Sequence, residues 1–404
     1  MQQCDVIVIG GGPAGATAAM LLAKAGWSTV VLEKQAFPRA KVCGEYMSPT
    51  NWPLLERLGL AEVLTQHGGP SVRRVGLMAG ATALAAALPT PADTGPAWGR
   101  ALGRDKLDAW LLTKAAKAGA RVLQPATTER LQRHGAQYVC RAQLAGDAGA
   151  AEFSAPVVIA AHGSWGGGSL PSSVAGGSPR PSDLFGFKAH FLQASLPADL
   201  MPLLCFPGGY GGMVHSDAGR VSLSCCIRRD KLASLDRASG QSAGAAVLEH
   251  ILATTPAVAQ VLDGASLADH WMAAGPIRPG IRWRFRDGIF RVGNAAGEAH
   301  PAVAEGISMA LQSATLAAEC LLQTCQPGDS GEIDRAGRRY AALWKRQFAA
   351  RIRTAAVVAH WAMRPALVNT SLPLLRALPA LLTWGAYHSG KSKPFPFMPQ
   401  AVQL

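Results

Sequence analysis

The fold is decided near the start of the chain, by residues 6–15, which read VIVIGGGPAG. Four apolar residues predict a buried strand, a glycine-rich turn follows at once, and residues 14–26, rich in alanine and leucine, predict a helix. A second apolar strand at residues 28–33 ends in Glu33. Strand, helix and strand together form a βαβ unit of about 30 residues, which opens a parallel sheet.

Three glycines are spaced as Gly10-x-Gly12-x-x-Gly15 between the first strand and the helix. Gly10 permits the tight turn, Gly12 lets the backbone approach a pyrophosphate, and Gly15 lets the helix pack on the strand. The helix N-terminus offers free N–H groups and the positive end of its dipole to phosphates. Glu33 can accept hydrogen bonds from ribose hydroxyls and would repel a 2′-phosphate. The sequence therefore predicts that an adenine dinucleotide binds at this turn.

The composition is that of a globular protein, with 49% hydrophobic and 16% charged residues in a chain of 404. These values exclude a disordered, collagen-like or coiled-coil chain. The eight cysteines form no CxxC pair and no cluster with histidine, so zinc, iron–sulfur and thioredoxin-type sites have no support and we expect no metal. A reducing compartment fits this cysteine usage. With no recognisable signal peptide or uninterrupted membrane-spanning run, we expect a cytoplasmic protein.

The net charge of +13 is concentrated at the C-terminal end. From Arg335 to Leu404 the chain has eleven basic residues and no Asp or Glu. An anionic membrane surface, an acidic carrier protein or nucleic acid could be drawn to this region, and a solvated helix face is the structural alternative. No nucleic-acid-binding motif accompanies the charge, so we expect no nucleic acid partner. Peripheral contact with a membrane or a carrier protein stays open.

Four further stretches resemble one class of flavoprotein. They are residues 37–45 (FPRAKVCGE), 103–108 (GRDKLD), 161–164 (AHGS) and 292–301 (VGNAAGEAHP). In this order and spacing they resemble the FAD-dependent class that contains the p-hydroxybenzoate hydroxylase-like monooxygenases, the flavin-dependent halogenases and the geranylgeranyl reductases. The likeness covers most of the chain. It is closest to the geranylgeranyl reductases at residues 38–44 and at residues 207–211, which read PGGYG.

The resemblance implies an α/β protein. We expect a Rossmann-like FAD-binding domain of the glutathione reductase type, an inserted antiparallel-sheet substrate domain and a helical C-terminus. The expected bounds are residues 1–170 and 272–330 for the FAD-binding domain, 171–271 for the substrate domain and 331–404 for the basic helical region. Parts of residues 70–100 could join the substrate sheet.

The resemblance also implies which residues hold FAD. They are Gly10, Gly12, Pro13, Ala14, Gly15, Glu33, Lys34, Arg39, Cys43, Gly44, Arg104, Gly293, Asn294, Glu305, Gly306 and Ile307. The helix that starts near Glu305 would aim N–H groups at the flavin N1 and C2 carbonyl edge. Two positions depart from the family pattern, because Asn294 and His162 stand where the family has Asp. An amide at Asn294 still accepts a hydrogen bond but lacks the charge that strengthens it, so the departures bear on FAD affinity.

Three residues are candidates for catalysis. Cys43 stands where geranylgeranyl reductases carry a cysteine beside the flavin, and it could touch the flavin ring or deliver a proton; a packed small hydrophobe is the alternative. Tyr210 lies in a glycine-rich stretch where a ligand could approach the backbone, with a plain hairpin as the alternative. His300 is a candidate for contact with substrate or flavin. His190 lies in an apolar stretch and is interpreted as a core histidine.

The favoured function is an FAD-dependent monooxygenase that hydroxylates a hydrophobic aromatic, polyketide or lipid-like substrate. NAD(P)H would be a transient electron donor, since the chain has one dinucleotide fingerprint. The alternatives are a geranylgeranyl reductase-like ene-reductase of a prenyl or acyl chain, and a non-catalytic flavoprotein that serves as an accessory or assembly factor. Halogenation is disfavoured, because residues 210–215 read YGGMVH where a halogenase would show W-x-W-x-I-P. The apolar C-terminal stretch, residues 365–387, could pack on the core, cover a substrate tunnel or dock on a surface.

Overall fold

The structure is a computed structural model that describes residues 1–89, 98–145, 149–164, 178–327, 331–391 and 395. Its strands are β1 (Gln2–Gln3), β2 (Val6–Ile9), β3 (Thr29–Leu32), β4 (Tyr46–Met47), β5 (Arg74–Ala79), β6 (Thr82–Ala87), β7 (Arg100–Ala101), β8 (Arg121–Leu123), β9 (Ala126–His134), β10 (Gln137–Leu144), β11 (Ala150–Ala155), β12 (Val157–Ala160), β13 (Leu184–Leu192), β14 (Leu200–Phe206), β15 (Gly209–His215), β16 (Val221–Arg228), β17 (Ser266–Leu267), β18 (Met272–Ile277), β19 (Gly280–Ile281), β20 (Phe285–Arg286), β21 (Ile289–Arg291) and β22 (Gly297–Glu298). Its helices are α1 (Pro13–Lys24), α2 (Trp52–Arg57), α3 (Ala61–His67), α4 (Arg104–Lys117), α5 (Arg229–Ala233), α6 (Ala243–Thr254), α7 (Pro256–Leu262), α8 (Gly306–Thr324), α9 (Ile333–Ala362), α10 (Pro365–Ala377) and α11 (Ala380–Ala386).

A six-stranded sheet in the order β20-β21-β12-β2-β3-β8 carries the dinucleotide turn. The five strands from β21 to β8 pair in parallel, and β20 is antiparallel to β21. Val6 and Val8 of β2 pack with the helices α1, α4 and α8, whereas Ile7 and Ile9 face the opposite side. Burial on both faces explains why the strands are continuous apolar runs rather than alternating ones. The predicted βαβ unit and α/β fold class are confirmed.

A four-stranded sheet, β1-β11-β10-β9, covers the second face of the parallel sheet. Buried Cys140 and Phe153 pack against Ile7 and Ile9 of β2. The sequence analysis did not predict this sheet. Most residues of β9 are polar and exposed, so its apolar pattern is too sparse to indicate a strand.

The predicted inserted antiparallel sheet is present. It has the order β17-β13-β16-β15-β14-β5-β6, with β18 paired to β13. All pairs are antiparallel except β14 with β5. The sheet takes β5 and β6 from residues 74–87 and β18 from residues 272–277, so its strands come from before, within and after the predicted insertion. The domain bounds themselves stay a prediction.

The C-terminal helices cross both sheets. Tyr340, Trp344 and Phe348 on α9 are buried in the core of the parallel-sheet side. Farther along, α10 and α11 pack against β5, β6 and β14 of the inserted sheet. None of the helices in the described residues is long and apolar enough to cross a membrane by itself. Two bent helix pairs meet the length and composition requirement together, one of them residues 365–391.

Replacing Phe348 with Ala tests the packing of α9. The side chain is fully buried, so removing its ring should leave a cavity and lower the free energy of unfolding by about 3–5 kcal/mol. Val357→Ala on the same helix is the control, because Val357 is 70% exposed and should change stability by less than about 0.5 kcal/mol. Urea unfolding followed by circular dichroism measures both; equal stability of the two variants would contradict the placement of α9.

Candidate functional site

A cavity of about 1050 Å³ runs from the glycine turn to the C-terminal helices. Polar groups line the end at the turn, and aliphatic side chains line the far end. Its wall contains most of the predicted cofactor residues, namely Gly10, Gly12, Pro13, Ala14, Glu33, Lys34, Arg39, Cys43, Gly44, Arg104, Gly293, Asn294, Gly306 and Ile307. Gly15 and Glu305 lie outside the lining.

The glycine turn has the geometry that the spacing predicts. Gly10 has φ of +105°, and a Cβ there would lie 2.6 Å from the carbonyl oxygen of Ala161. A Cβ on Gly15 would lie 1.8 Å from the carbonyl oxygen of Gly10, so helix and strand meet at a distance only glycine allows. Gly12 ends the turn, and a Cβ on it would point into the cavity with its nearest neighbours 3.8 and 4.0 Å away. The turn thus leaves a cradle between backbone and cavity that a methyl group would fill.

Glu33 is buried at the end of β3 and holds the turn. Its carboxylate accepts the N–H of Gly11 at 2.7 Å and the N–H of Gln35 at 3.0 Å. A carboxylate has about four acceptor positions, so it retains capacity for ribose hydroxyls. Glu33 therefore has a structural role in the turn beside the predicted one at the ribose.

Cationic side chains gather beside Gly12. Arg104, at the start of α4, binds Asp108 through two hydrogen bonds of 2.7 Å each. Arg39 lies 3.8 Å from Asp108 and 3.9 Å from Glu33, and its buried Nε has no hydrogen-bond partner in the described part of the chain. Burial, together with the charges of Arg104 and Arg39, lowers the pKa of Lys41 to about 8. The cluster has an excess of positive charge directed at the cradle.

The opposite side of this end is formed by the residue 293–307 segment. Helix α8 begins at Gly306, and both Gly306 and Ile307 line the cavity. A Cβ on Gly306 would meet nothing within 4 Å, so the first turn of α8 has open space in front of it. Glu305 lies behind that turn, fully buried, and contacts Lys391 at 3.4 Å. Burial raises the pKa of Glu305 although Lys391 and Arg351 oppose the shift.

Asn294 is engaged by its own neighbours. Its amide donates to Ser164 Oγ and to Glu298 Oε1, both at 3.0 Å. Glu298 also accepts from Ser164 at 2.7 Å and from Arg282 at 3.1 Å. The side chain of Asn294 thus acts as a donor to a carboxylate, a role that the Asp of the family pattern could not take when ionised. His162, the second departure, also lines the cavity.

This arrangement fits a dinucleotide cofactor. It offers a glycine cradle, an excess of cations beside it, a carboxylate at the ribose position and an open helix N-terminus across the cavity, which together suit a molecule with an anionic centre. The residues fit FAD better than a metal ion, because the described residues contain no cluster of three or more His, Cys, Asp or Glu side chains that could hold one.

Two of the three catalytic candidates lie on the cavity wall. Cys43 accepts the N–H of Glu45 at 3.4 Å and lies next to Arg104. Tyr210 is buried, and its hydroxyl lies 3.1 Å from Nδ1 of His300. His300 is not part of the lining; it lies behind Tyr210, with its ring 5.6 Å from that of His360. The structure therefore brings His300 to the cavity only through Tyr210.

The protonation states of this pair are set by burial. Burial, with a smaller effect of His360, lowers the pKa of His300 to about 4, and burial raises the pKa of Tyr210 well above its usual value. At neutral pH the histidine is uncharged and the phenol is intact. In the tautomer of neutral His300 that carries its proton on Nε2, the Tyr210 hydroxyl donates to Nδ1, and the Tyr210 side chain also forms a hydrogen bond with Cys226.

A second buried group on the wall was missed by the sequence analysis. Glu45 lines the cavity with a left-handed φ of 63° and binds Lys188 Nζ and His190 Nε2, the latter at 3.0 Å. Burial would raise the pKa of Glu45, but the hydrogen bond to His190 and the charge of Lys188 outweigh it and lower the pKa to about 2. His190 is buried and hydrogen-bonded, as expected for a core histidine, but its neighbours Glu45 and Lys188 are ionic rather than apolar. A lysine inside the apolar stretch of β13 was the available signal.

Apolar side chains line the far end of the cavity. Its walls are built from β5, β14, α9, α10 and α11. The side chains are Val75, Leu77, Met201, Leu203, Val358, Trp361, Leu375, Leu381 and Leu382. The C-terminal stretch therefore covers the cavity, which was one of the three roles left open for it.

Gly12→Ala tests the cradle. The added methyl would occupy the space in front of the turn, so we expect FAD to bind about tenfold or more weakly while the FAD-free protein melts at an unchanged temperature. Fluorescence titration with FAD measures the affinity. Gly385→Ala is the control, because it adds a methyl at the far end where nothing lies within 4 Å. Equal losses in both variants would show that the cradle is not the cofactor site.

The affinity for FAD should depend on pH through Lys41. Its pKa of about 8 in the free protein means that the ammonium is lost as the pH rises through 8, whereas a bound pyrophosphate would hold the proton and raise that pKa. We expect the affinity to fall about tenfold between about pH 7 and about pH 9.5. Lys41→Arg stays charged and should bind with no such fall; an identical pH dependence in this variant would exclude Lys41 as the cause.

Comparison with known proteins agrees with this geometry. The family model of the FAD binding domain matches residues 3–346. A menaquinone reductase of Mycolicibacterium smegmatis is 36% identical over 121 residues, which are 30% of this chain and 29% of the relative. The chain thus spans less than a third of that relative's length. A digeranylgeranylglycerophospholipid reductase 2 of Methanopyrus kandleri is 25% identical over 352 residues, 85% of this chain and 83% of the relative.

Among solved structures, a myxobacterial chondrochloren halogenase superposes with a TM-score of 0.77 at 20% identity, over 96% of this chain and 91% of the halogenase. At that identity the likeness shows the fold alone. The family model, in contrast, covers well over half of the chain. The protein therefore belongs to the FAD binding domain family.

Proposed function

We propose that the protein is an FAD-dependent monooxygenase that hydroxylates a phenol carrying a long hydrophobic chain. The observation that carries this proposal is the pair formed by Tyr210 and His300 on the wall of the cavity, with a neutral histidine behind an intact tyrosine hydroxyl. The other parts of the site are consistent with the same substrate class.

The pair would form a hydrogen-bonded path for the substrate proton, with His300 as a weak base because burial lowers its pKa to about 4. A substrate hydroxyl at the wall would donate to the Tyr210 oxygen, and the Tyr210 hydroxyl would in turn donate to His300 Nδ1, 3.1 Å away. Neutral His300 can take up the proton that passes along this chain. Loss of the phenolic proton raises the electron density of the ring, which is what attachment of an electrophilic oxygen requires.

The far end of the cavity fits the hydrophobic chain. Trp361, Leu375 and Leu382 enclose it from the C-terminal side, and β5 and β14 close it from the inserted sheet. Burying each methylene of a chain there stabilises the complex by about 0.8 kcal/mol. The same walls exclude water from the reacting ring.

FAD, held by the glycine cradle and the cation cluster, supplies the redox chemistry by passing electrons from a donor to oxygen. NAD(P)H is the donor that we propose, binding only transiently. The chain's own residues orient the substrate, exclude water and move the phenolic proton. In the net reaction, one oxygen atom of O₂ enters the ring and the other leaves as water.

Reduction of a double bond in a prenyl or acyl chain is the second candidate. It is favoured by the sequence likeness to two reductases, one of which aligns over 85% of this chain. Cys43, on the cavity wall beside Arg104, would be the proton donor in that reaction. The hydrocarbon end of the cavity suits both candidates, so the reaction must be distinguished by its need for oxygen.

Tyr210→Phe tests the proton path. With a long-chain alkylphenol, NAD(P)H and oxygen, we expect the wild type to give a product with one added oxygen and the variant to turn over about 100-fold more slowly at unchanged FAD content. Tyr138→Phe is the matched control, because that hydroxyl bonds the carbonyl of Asp287, away from the cavity. Product is measured by mass spectrometry. Full activity of Tyr210→Phe would contradict the assignment.

The pH profile and oxygen dependence complete this test. In the wild type, kcat/KM should stay level at neutral pH and fall about tenfold per pH unit below about pH 4, because protonated His300 can no longer accept a proton. Anaerobic reduction of a prenyl substrate, without oxygen-dependent hydroxylation, would favour the second candidate. If the protein binds FAD but turns over neither substrate class, the remaining interpretation is a non-catalytic flavoprotein that serves as an accessory or assembly factor.

A further inference from the structure

The C-terminal helices have an apolar surface that faces outward. It consists of Leu367, Leu374, Leu378, Trp384 and Tyr387, which are 48%, 54%, 53%, 62% and 43% exposed. We call these five side chains the outer apolar face. They are half of the ten large hydrophobic side chains that are exposed in the described residues. Such a concentration of exposed apolar groups on one segment indicates an interaction surface.

The inner side of the same segment has a different role. Val368 and Leu372 of α10 are buried against the inserted sheet, and Leu375, Leu381 and Leu382 line the cavity. The helices are therefore apolar on two sides, and packing accounts only for the inner one. The two helices Pro365–Ala377 and Ala380–Lys391 are bent by 113° relative to each other, so neither forms a single straight span.

The charge around the outer apolar face is positive. The chain has no Asp or Glu after residue 334. Three exposed arginines lie near the outer apolar face in sequence: Arg353 in the last three turns of α9, Arg364 in the link to α10, and Arg376 on α10. The guanidinium of Arg376 also donates to Thr82 Oγ1, which ties α10 to β6. Near an anionic lipid surface each such cation contributes about 1 kcal/mol of attraction. Basic charge beside exposed Leu and Trp is the pattern of a helix that binds at a membrane interface.

We propose that the outer apolar face docks on an anionic phospholipid bilayer, with α10 and α11 lying in the interface. Trp384 and Tyr387 suit the headgroup level, where aromatic rings with a polar edge concentrate. A lipid surface fits better than an acidic protein, because the segment joins this face directly to a hydrocarbon cavity on its other side. Docking itself does not depend on the proposed reaction. The further idea that a hydrophobic substrate passes from the bilayer into the cavity does rest on the proposed function.

The test uses flotation of the full-length FAD-loaded protein with vesicles. Wild type should float with phosphatidylcholine vesicles that contain phosphatidylglycerol, much less with phosphatidylcholine alone, and less again at high salt. The variant Leu374→Ser/Leu378→Ser/Trp384→Ser should lose more than tenfold in partitioning. The matched control is Leu192→Ser/Leu267→Ser/Ile281→Ser, which removes three exposed apolar side chains from other surfaces and should float like wild type.

FAD content and melting temperature establish that both variants are folded, and neither readout depends on the identity of the substrate. The proposal is overturned if wild type does not float with anionic vesicles, or if the Leu374 triple variant floats as well as wild type. It is also overturned if light scattering shows that the triple variant turns a dimer into a monomer, since a second copy then covers this face. Equal loss of flotation in the control variant would likewise overturn it. Loss of hydroxylation with retained flotation would instead concern the reaction alone.

Discussion

The site depends on how closely helix α1 approaches strand β2. A Cβ on Gly15 would lie 1.8 Å from the carbonyl oxygen of Gly10, so only glycine is compatible with this packing. The contact places the N-terminus of α1 at the carboxyl ends of the parallel strands, where Gly12 opens the cradle. Glu33 then fixes the turn by accepting the N–H of Gly11, and the cations at Arg39 and Arg104 lie across from it. The positions of Gly12, Glu33 and the two arginines at the cofactor end therefore depend on the contact between Gly15 and Gly10.

Local patterns were sufficient for the fold and for the cofactor end. The βαβ unit follows from residues close in sequence, since the turn, the helix and Glu33 lie within one short segment. The side-chain pairings that define the chemistry do not. Lys188 reaches Glu45 across 143 residues, and Tyr210 meets His300 across 90. Such pairs depend on the register of the inserted sheet against the FAD-binding part, which no local pattern encodes. The sheet at β9 to β11 was missed for a local reason, because its outer strand is mostly polar and exposed.

Glu45 on the cavity wall and His300 behind it are both buried, but Glu45 is charged at neutral pH and His300 is uncharged. Glu45 keeps its charge because Lys188 and His190 both contact it, and the buried charge is compensated at once. His300 contacts the Tyr210 phenol and the His360 ring, neither of which is an anion, and burial lowers its pKa so that the ring stays neutral. Burial disfavours the charged form of both groups, and the neighbouring side chains decide whether that charged form is nevertheless kept. A charged network at Glu45 and an uncharged imidazole at His300 therefore coexist in the same buried region at neutral pH.

The charge of neighbouring groups also explains why an amide, rather than a carboxylate, is found at Asn294. Glu298 is 5% exposed and receives hydrogen bonds from Ser164, Asn294 and Arg282. An aspartate at 294 would bring a second carboxylate to within about 3 Å of Glu298 Oε1, and two like charges so close in a buried site cannot both stay ionised. Arg282 also donates to the backbone oxygen of Asn294, so the guanidinium is already shared between the two positions. Because Glu298 is a buried carboxylate, an uncharged amide at position 294 avoids a second negative charge in the loop. The amide N–H group of Asn294 donates to Glu298 instead. The departure at Asn294 is therefore compatible with the buried carboxylate of Glu298 that lies beside it.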